Sequence, residues 1–193
     1  MSKYPQLQKY FMQLAQVSEN DFEYFVDLIE ERRYLKGDFF CEPEQKDDLV
    51  GFVISGIFRV YYLNQEGEVF IRNFCMEGSP IGSYATILTS DPSHVCIEAL
   101  ENSSVVTINY SNFSSLFEKK GCWERLGRKI AELHYISRER REYQLLTMNA
   151  TKRYEAFLKD FPGLEARITQ SNMASYIGVN PVTLSRIITR SKK

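Results

Sequence analysis

The apolar positions of this 193-residue chain change period twice along its length. Leu7, Phe11 and Leu14 recur at helical spacing, and Ser18 with Asp21 reads as an N-cap opening a second helical pattern in "ENDFEYFVDLIEERR". Residues 1 to 35 are therefore expected to be helical. From about residue 36 to 110 the runs shorten: "LVGFVISGIFRVYYL", "EVFIRNFC", "HVCIEAL" and "SVVTINY" are rich in Val, Ile, Phe and Tyr. The stretches "NQEGE", "MEGSPIGS" and "LENSS" separate them, with Gly56, Gly67, Gly78 and Gly82 as turn positions. Brief strands joined by tight turns, with no helices between them, predict an antiparallel, jelly-roll-like β-roll rather than a βαβ sheet.

Helical spacing returns in "SNFSSLFEKKGCWERLGRKIAELHYISRERREYQLLT". Leu126, Ile130 and Leu133 make one stripe, which Ile136, Tyr143 and Leu146 continue less regularly among charges. A helix of roughly 25 to 30 residues is too long for the interior of so small a domain. It either spans two domains or packs against a copy of itself, and the partial a/d pattern favours the copy. Asn149 then caps a fresh helix, "ATKRYEAFLKD", which Pro162-Gly163 ends. The expected fold class is α+β, with a β-roll and N-terminal helices over 1–115, a long dimerisation helix over 116–148 and an all-helical domain over 149–193.

That last domain contains "QSNMASYIGVNPVTLSRII", which fits two short helices crossing steeply. Ala174 lets the helices approach, and Gly178 supplies a turn residue with positive φ. Met173, Ile177, Val179, Leu184 and Ile187 are the inward positions. Thr169 can cap the first helix, while Asn180 and Pro181 mark the start of the second. This is the pattern of a DNA-binding helix-turn-helix. The outward residues of its second helix are Pro181, Val182, Ser185, Arg186 and Thr189. In major-groove docking the N-terminal part of that helix meets base edges. Arg186 is the candidate for a bidentate contact to guanine, and Val182 for a thymine methyl. Thr169, Ser171, Thr183 and Arg190 are candidates for phosphates, which position without specifying.

Charge supports the assignment. Residues 150–193 carry eight Lys and Arg against three acids, a net of +5, whereas the remaining residues carry sixteen against twenty-two. A basic end on an acidic body is the asymmetry expected when one end meets a polyanion. Other chemistry is weakly represented. Cys41, Cys75, Cys96 and Cys122 lie 34, 21 and 26 residues apart, with no C-x-x-C pair, so neither a zinc knuckle nor a clustered iron–sulfur motif is expected. Two histidines, His94 and His134, are too few for a cupin-type metal site, and no Ser or Cys sits in a Gly-x-Ser-x-Gly elbow, so no enzyme activity, metal or cofactor is expected. The first residues lack a secretory h-region and no apolar run reaches membrane length, which places the chain in the cytoplasm as an expectation.

A β-roll, a long helix and a C-terminal helix-turn-helix in that order resemble the cyclic-AMP receptor protein/FNR superfamily of bacterial transcription regulators. The resemblance covers nearly the whole chain and rests on "VISGIFRVYY", "NQEGE", "CMEGSPIGS", "IEALENSSVVTINYSNFSSL" and the helix-turn-helix. Residues from "MNATKRYEAFL" to "VTLSRI" are similar to Bacteroidetes regulators of that superfamily. It implies a cyclic-nucleotide-binding-like sensor roll, a homodimer on a palindromic DNA operator, and action through RNA polymerase.

The sequence departs from the superfamily in three places. Where cyclic-nucleotide binders of that superfamily carry Gly-Glu and then Arg-Ser or Arg-Thr, this chain has Gly82-Ser83 and Ser93-His94, and Arg138 with Glu139 stand where base-contacting hydroxyls are expected. Gly82, Ser83, Ser93, His94 and Arg138 therefore mark an effector pocket that is not expected to take a cyclic nucleotide; another small-molecule effector is left open. Secondly, the clustered cysteines of the oxygen-sensing branch are absent, and a lone His94 or His134 is a poor haem ligand set. Thirdly, only six residues follow Ile187, so no β-hairpin wing is expected and the basic "RSKK" is expected to contact phosphates instead. Pro181 and Val182 replace the Arg-Glu pair of the cyclic-AMP receptor protein, so only Arg186 carries over. The competing expectation is a small-molecule-binding regulatory module that acts through protein contacts rather than DNA.

Overall fold

The computed structural model describes residues 2–46 and 48–191. Among the described residues, helices and strands run in the order α1 (Pro5–Ala15), α2 (Glu19–Val26), β1 (Glu30–Tyr34), β2 (Phe39–Cys41), β3 (Leu49–Ser55), β4 (Phe58–Leu63), β5 (Val69–Cys75), β6 (Pro80–Ile81), α3 (Tyr84–Thr89), β7 (Cys96–Ala99), β8 (Ser103–Asn109), α4 (Tyr110–Lys119), α5 (Gly121–Thr147), α6 (Ala150–Asp160), a 3-10 turn (Leu164–Ala166), α7 (Gln170–Ile177) and α8 (Pro181–Ser191). The α+β expectation holds: the strands form two four-stranded sheets, ordered β1-β8-β3-β6 and β2-β7-β4-β5. The β1–β8, β8–β3, β3–β6 and β2–β7 pairs are all antiparallel.

The chain forms two compact units, one from residues 1–60 and 74–133, the other from 61–73 and 134–193. In the first, Phe11 is fully buried at the centre of an aromatic cluster, with Phe22, Phe25, Phe52 and Trp123 at ring-centroid distances of 5.6, 5.2, 5.0 and 6.1 Å. Each buried aromatic contributes roughly 2–3 kcal/mol by removal from water. Leu7 and Phe11 face this core, as their spacing implied, and Leu126 joins them from α5. The Ser18 cap forms too, its hydroxyl accepting from the Asp21 amide at 3.2 Å. A second cluster, Phe40, Val53, Phe58, Val60, Ile81, Ile97 and Val105, fills the space between the sheets. At the β3–β4 turn Gly56 has φ +97, and any Cβ there would strike Ser103, so the turn admits only glycine.

Two sequence expectations are corrected. Residues 1 to 35 are not all helical, because helix stops at Val26 and Glu30–Tyr34 form β1, paired from Glu30↔Thr107 to Tyr34↔Ser103. The strand lies at a sheet edge with its charged side chains exposed, so it buries no apolar face that would mark its period. Nor are the strands free of intervening helices: "YATILTSDP" contains helix α3, a single short helix with only Thr86 buried. Six residues are too few to register a 3.6 period. Strands β2 and β6, of three and two residues, were likewise too short to read.

In the second unit Tyr154, Phe157, Leu164, Met173, Ala174, Tyr176, Ile177, Leu184 and Ile187 are buried. Phe157, Phe161 and Tyr176 meet pairwise at 5.4–5.6 Å. Asn149 caps α6 through the Lys152 amide at 3.0 Å, and α6 ends at Asp160 before Pro162-Gly163, as the sequence indicated. Within α5 the 27-residue length matches the expectation, and Leu133, Ile136, Tyr143 and Leu146 are exposed, Leu146 at 76%.

Candidate nucleic-acid interface

Helices α7 and α8 are built from capped ends inward. Thr169 Oγ1 accepts from the Asn172 amide at 3.2 Å and opens α7. Ala174, 1% exposed, lies in that helix on the side buried within the unit. The chain leaves α7 through Gly178 at φ +75, whose amide donates to the Ala174 carbonyl at 2.9 Å, followed by the Val179 amide to the same oxygen at 3.0 Å. Asn180 Oδ1 accepts from the Thr183 amide at 2.8 Å, and α8 starts at Pro181. Of the five inward positions read from sequence, Met173, Ile177, Leu184 and Ile187 are buried; Val179 is only half-buried in the turn.

The opposite face of α8 is open. Pro181, Val182, Ser185, Arg186, Thr189 and Arg190 are exposed, Val182 at 62%, and Thr183 is half-buried beside its cap. Arg186 and Arg190 make no salt bridge or hydrogen bond among the described residues, so their guanidinium groups point to no internal partner. Thr169 and Ser171 are exposed at the start of α7. Thus the structure brings Pro181, Val182, Ser185 and Arg186 onto the first two turns of one helix face. Lys192 and Lys193, expected to touch phosphate, lie outside the described residues.

Two residues that fix this head escaped the sequence reading. Arg153, counted only as basic charge, donates from Nε to the Ile177 carbonyl at 2.7 Å and from Nη1 to the Met148 carbonyl at 2.6 Å. It therefore satisfies the open carbonyls at the C-terminal ends of α7 and α5. Ser175, an inconspicuous hydroxyl between Ala174 and Tyr176, donates to the Val69 carbonyl at 2.7 Å and accepts from the Ile71 amide at 3.1 Å. The β4–β5 hairpin over 61–73 is thereby tied to α7 within the same unit. Both interactions span long sequence separations and leave no local pattern. Arg141 completes the support, stacking over the Tyr176 ring at 4.0 Å.

The residues assigned to an effector pocket separate into two groups. Gly82, Ser83, Ser93 and His94 belong to the first unit and Arg138 to the second. Ser83 and Ser93 are buried and bond to one another at 3.0 Å; Ser83 also meets Thr86 Oγ1 at 2.9 Å, and Ser93 donates to the Val95 carbonyl at 3.1 Å. Their hydroxyls are engaged with protein, while His94 beside them is exposed. Among the described residues no group of three or more His, Cys, Asp or Glu is placed to hold a metal ion, and no helix is long and apolar enough to cross a membrane. The four cysteines are free thiols, three of them buried.

Residues 31–120 match the cyclic nucleotide-binding domain family. The anaerobic regulatory protein of Pasteurella multocida (strain Pm70) is 29% identical over 153 residues, 72% of this chain and 54% of that protein; the chain thus spans about half the length of this relative. The structure of FixK2 from Bradyrhizobium japonicum matches with a TM-score of 0.74 at 21% identity, over 84% of this chain and 83% of that one. A transcriptional regulator assigned to the crp/fnr family from Eubacterium rectale matches with a TM-score of 0.72 at 16% identity, over 99% and 88% of the two chains.

Proposed function

We propose that this chain, which carries a cyclic nucleotide-binding domain and has the architecture of the cyclic-AMP receptor protein/FNR regulators, is a homodimeric, sequence-specific DNA-binding transcription regulator. The observation that carries the reading is the open face of α8: Pro181, Val182, Ser185 and Arg186 are exposed on its first two turns while Leu184 and Ile187 anchor the other side. Inserted in the major groove, Arg186 would pair with guanine and Val182 would meet a thymine methyl. Thr169, Ser171, Thr183 and Arg190 would hold phosphates and set the register. A net of +5 over residues 150–193 supplies the long-range attraction.

The exposed apolar stripe of α5, Leu133, Ile136, Tyr143 and Leu146, supports the homodimer, since a patch of this kind on a helix calls for a partner surface. Two heads related by a dyad would read a palindromic operator, and RNA polymerase is the partner on which a bound regulator would act. The reading places the protein in the cytoplasm, where that DNA is. Control by cyclic nucleotides is not part of it: Ser83 and Ser93 bond to one another, and in sequence they adjoin Gly82, Tyr84, Pro92 and His94 rather than an arginine suited to a buried phosphate.

The test is footprinting of the full chain on its own upstream DNA, with salt varied. A protected, two-fold symmetric site that Arg186→Ala makes less selective supports the reading. Uniform, salt-sensitive coating of all DNA, with Arg186→Ala indifferent in cells, would instead favour a module acting through protein contacts.

A further inference from the structure

One side of α7 is not taken up by the core of its own unit. Asn172, Met173, Ala174, Tyr176 and Ile177 are buried, which leaves Ser171 and Ser175, four residues apart and so on one face. Ser171 is exposed on that face and is one of the residues assigned to DNA phosphate. One turn further on, about 6 Å along the helix, the face is occupied. Ser175 donates to the Val69 carbonyl at 2.7 Å and accepts from the Ile71 amide at 3.1 Å. Both groups belong to β5, the last strand of its sheet, so a single hydroxyl seats the β4–β5 hairpin on α7 by its strand edge.

The hairpin brings negative charge with it. Its turn is fixed by Asn64, whose side-chain oxygen accepts from the Glu66 and Glu68 amides at 3.1 and 2.8 Å and whose Nδ2 donates to Glu68 Oε2 at 2.9 Å. Glu68 immediately precedes Val69, so a carboxylate is pinned to the turn next to the residue that Ser175 bonds. Glu66 and Glu68 are exposed, and among the described residues neither pairs with a cation. Arg72, the one basic residue of this 61–73 segment, is engaged elsewhere, its Nη1 donating to Tyr62 Oη at 3.4 Å. With a Debye length of about 8 Å at physiological salt, carboxylates beside Ser175 are only partly screened from a phosphate one helical turn away.

We propose that the β4–β5 hairpin, seated on α7 by Ser175, is an autoinhibitory brake on DNA binding, its tip carboxylates Glu66 and Glu68 opposing phosphate at the Thr169–Ser171 end of the helix. The brake rests on the reading of that end as a phosphate contact and adds its regulation. DNA is bound at full strength when the hairpin edge shifts from Ser175 or its carboxylates are neutralised, so the two Ser175 bonds set the fraction of protein competent to bind. Ser175 is thus a positioning residue that acts through Glu66 and Glu68.

A double-mutant cycle on the full chain tests this, with binding to the operator found by footprinting and to scrambled DNA of equal length followed by fluorescence anisotropy. Ser175→Ala, and separately Glu66→Gln with Glu68→Gln, should each tighten binding about fivefold, on both DNAs because phosphate is met whatever the sequence. All three changes together should still gain about fivefold, against roughly twenty-five-fold for independent sites. Unchanged or weaker binding by the glutamine pair, in which the Ser175 bonds are intact, overturns the proposal. Full additivity overturns it too, since the carboxylates would then act without regard to where the hairpin is seated. So does weaker binding by Ser175→Ala with a lowered melting temperature, which would leave Ser175 a purely supporting role. Gains on scrambled DNA with no operator preference would defeat the sequence-specific reading and leave the brake; operator preference without the gains would defeat the brake alone.

Discussion

Arg153 Nε donates to the Ile177 carbonyl at 2.7 Å, joining the first turn of α6 to the last turn of α7. The same guanidinium reaches Met148 at 2.6 Å and Gly178 at 3.4 Å, so one planar fork holds three backbone oxygens, two at the α7–α8 turn and one just past the end of α5. Arg153→Ala should destabilise the second unit by about 2–3 kcal/mol, since it orphans carbonyls that accept charge-assisted bonds. Arg153→Lys should restore little of this, because a point charge cannot span them. Denaturant unfolding followed by the Tyr-rich near-ultraviolet signal checks both.

Base and phosphate contacts should separate by mutation. Arg186→Ala is expected to lose about 1–3 kcal/mol of discrimination at one base pair of each half-site. Arg190→Gln should weaken binding to all sequences alike and reduce the salt slope by about one. Gel shifts on operator and scrambled DNA at several salt concentrations distinguish the two.

Gly178 and Asn180 set the angle between α7 and α8. At φ +75 a side chain is strained, and a Cβ would meet Leu145 Cδ2 at 3.4 Å, so Gly178→Val should cost about 1–2 kcal/mol. Asn180→Ala removes the cap on Thr183 and should cost about 1 kcal/mol. Thermal melts of the two variants test the ranking.

Leu146 is 76% exposed on α5, in line with exposed Ile136 and Tyr143. Leu146→Arg should dissociate the proposed homodimer without unfolding either unit, seen by sedimentation as a fall to monomer mass with unchanged circular dichroism.

His134 gives a pH dependence whose sign follows from its environment. Burial, Arg72 and Arg138 lower its protonation in the folded chain below the ordinary value of 6.5. Below that value the unfolded chain therefore binds the extra proton first. Its contribution to stability is complete above about pH 6.5 and is lost as pH falls beneath it. In chloride, unfolding free energy should decline from pH 7 to 5, and His134→Gln should flatten that decline.

Sequence periodicity reached the parts of this molecule whose faces are buried on one side. Leu7 and Phe11, the four long strand runs, and the Ala174–Gly178–Asn180–Pro181 spacing all translate into the observed elements because burial imposes a repeat. Strand β1 was invisible for the opposite reason: Glu30–Arg33 are exposed and are ordered by the β8 ladder rather than by side-chain packing. Arg153 and Ser175 were illegible because their partners lie 24 and more than 100 residues away. Charge counting also overstated the freedom of residues 150–193, since Arg153 answers backbone oxygens at a turn.

The chain passes between its two units three times, at residues 60–61, 73–74 and 133–134. The unit that carries α7 and α8 is therefore not a detachable cassette. A cut at residue 149, or even at 134, would leave Val69 and Ile71 behind and strip Ser175 of both its partners. Grafting this head onto another sensor would require the 61–73 hairpin to travel with it, and recombination that exchanged only the C-terminal segment would deliver an incomplete fold.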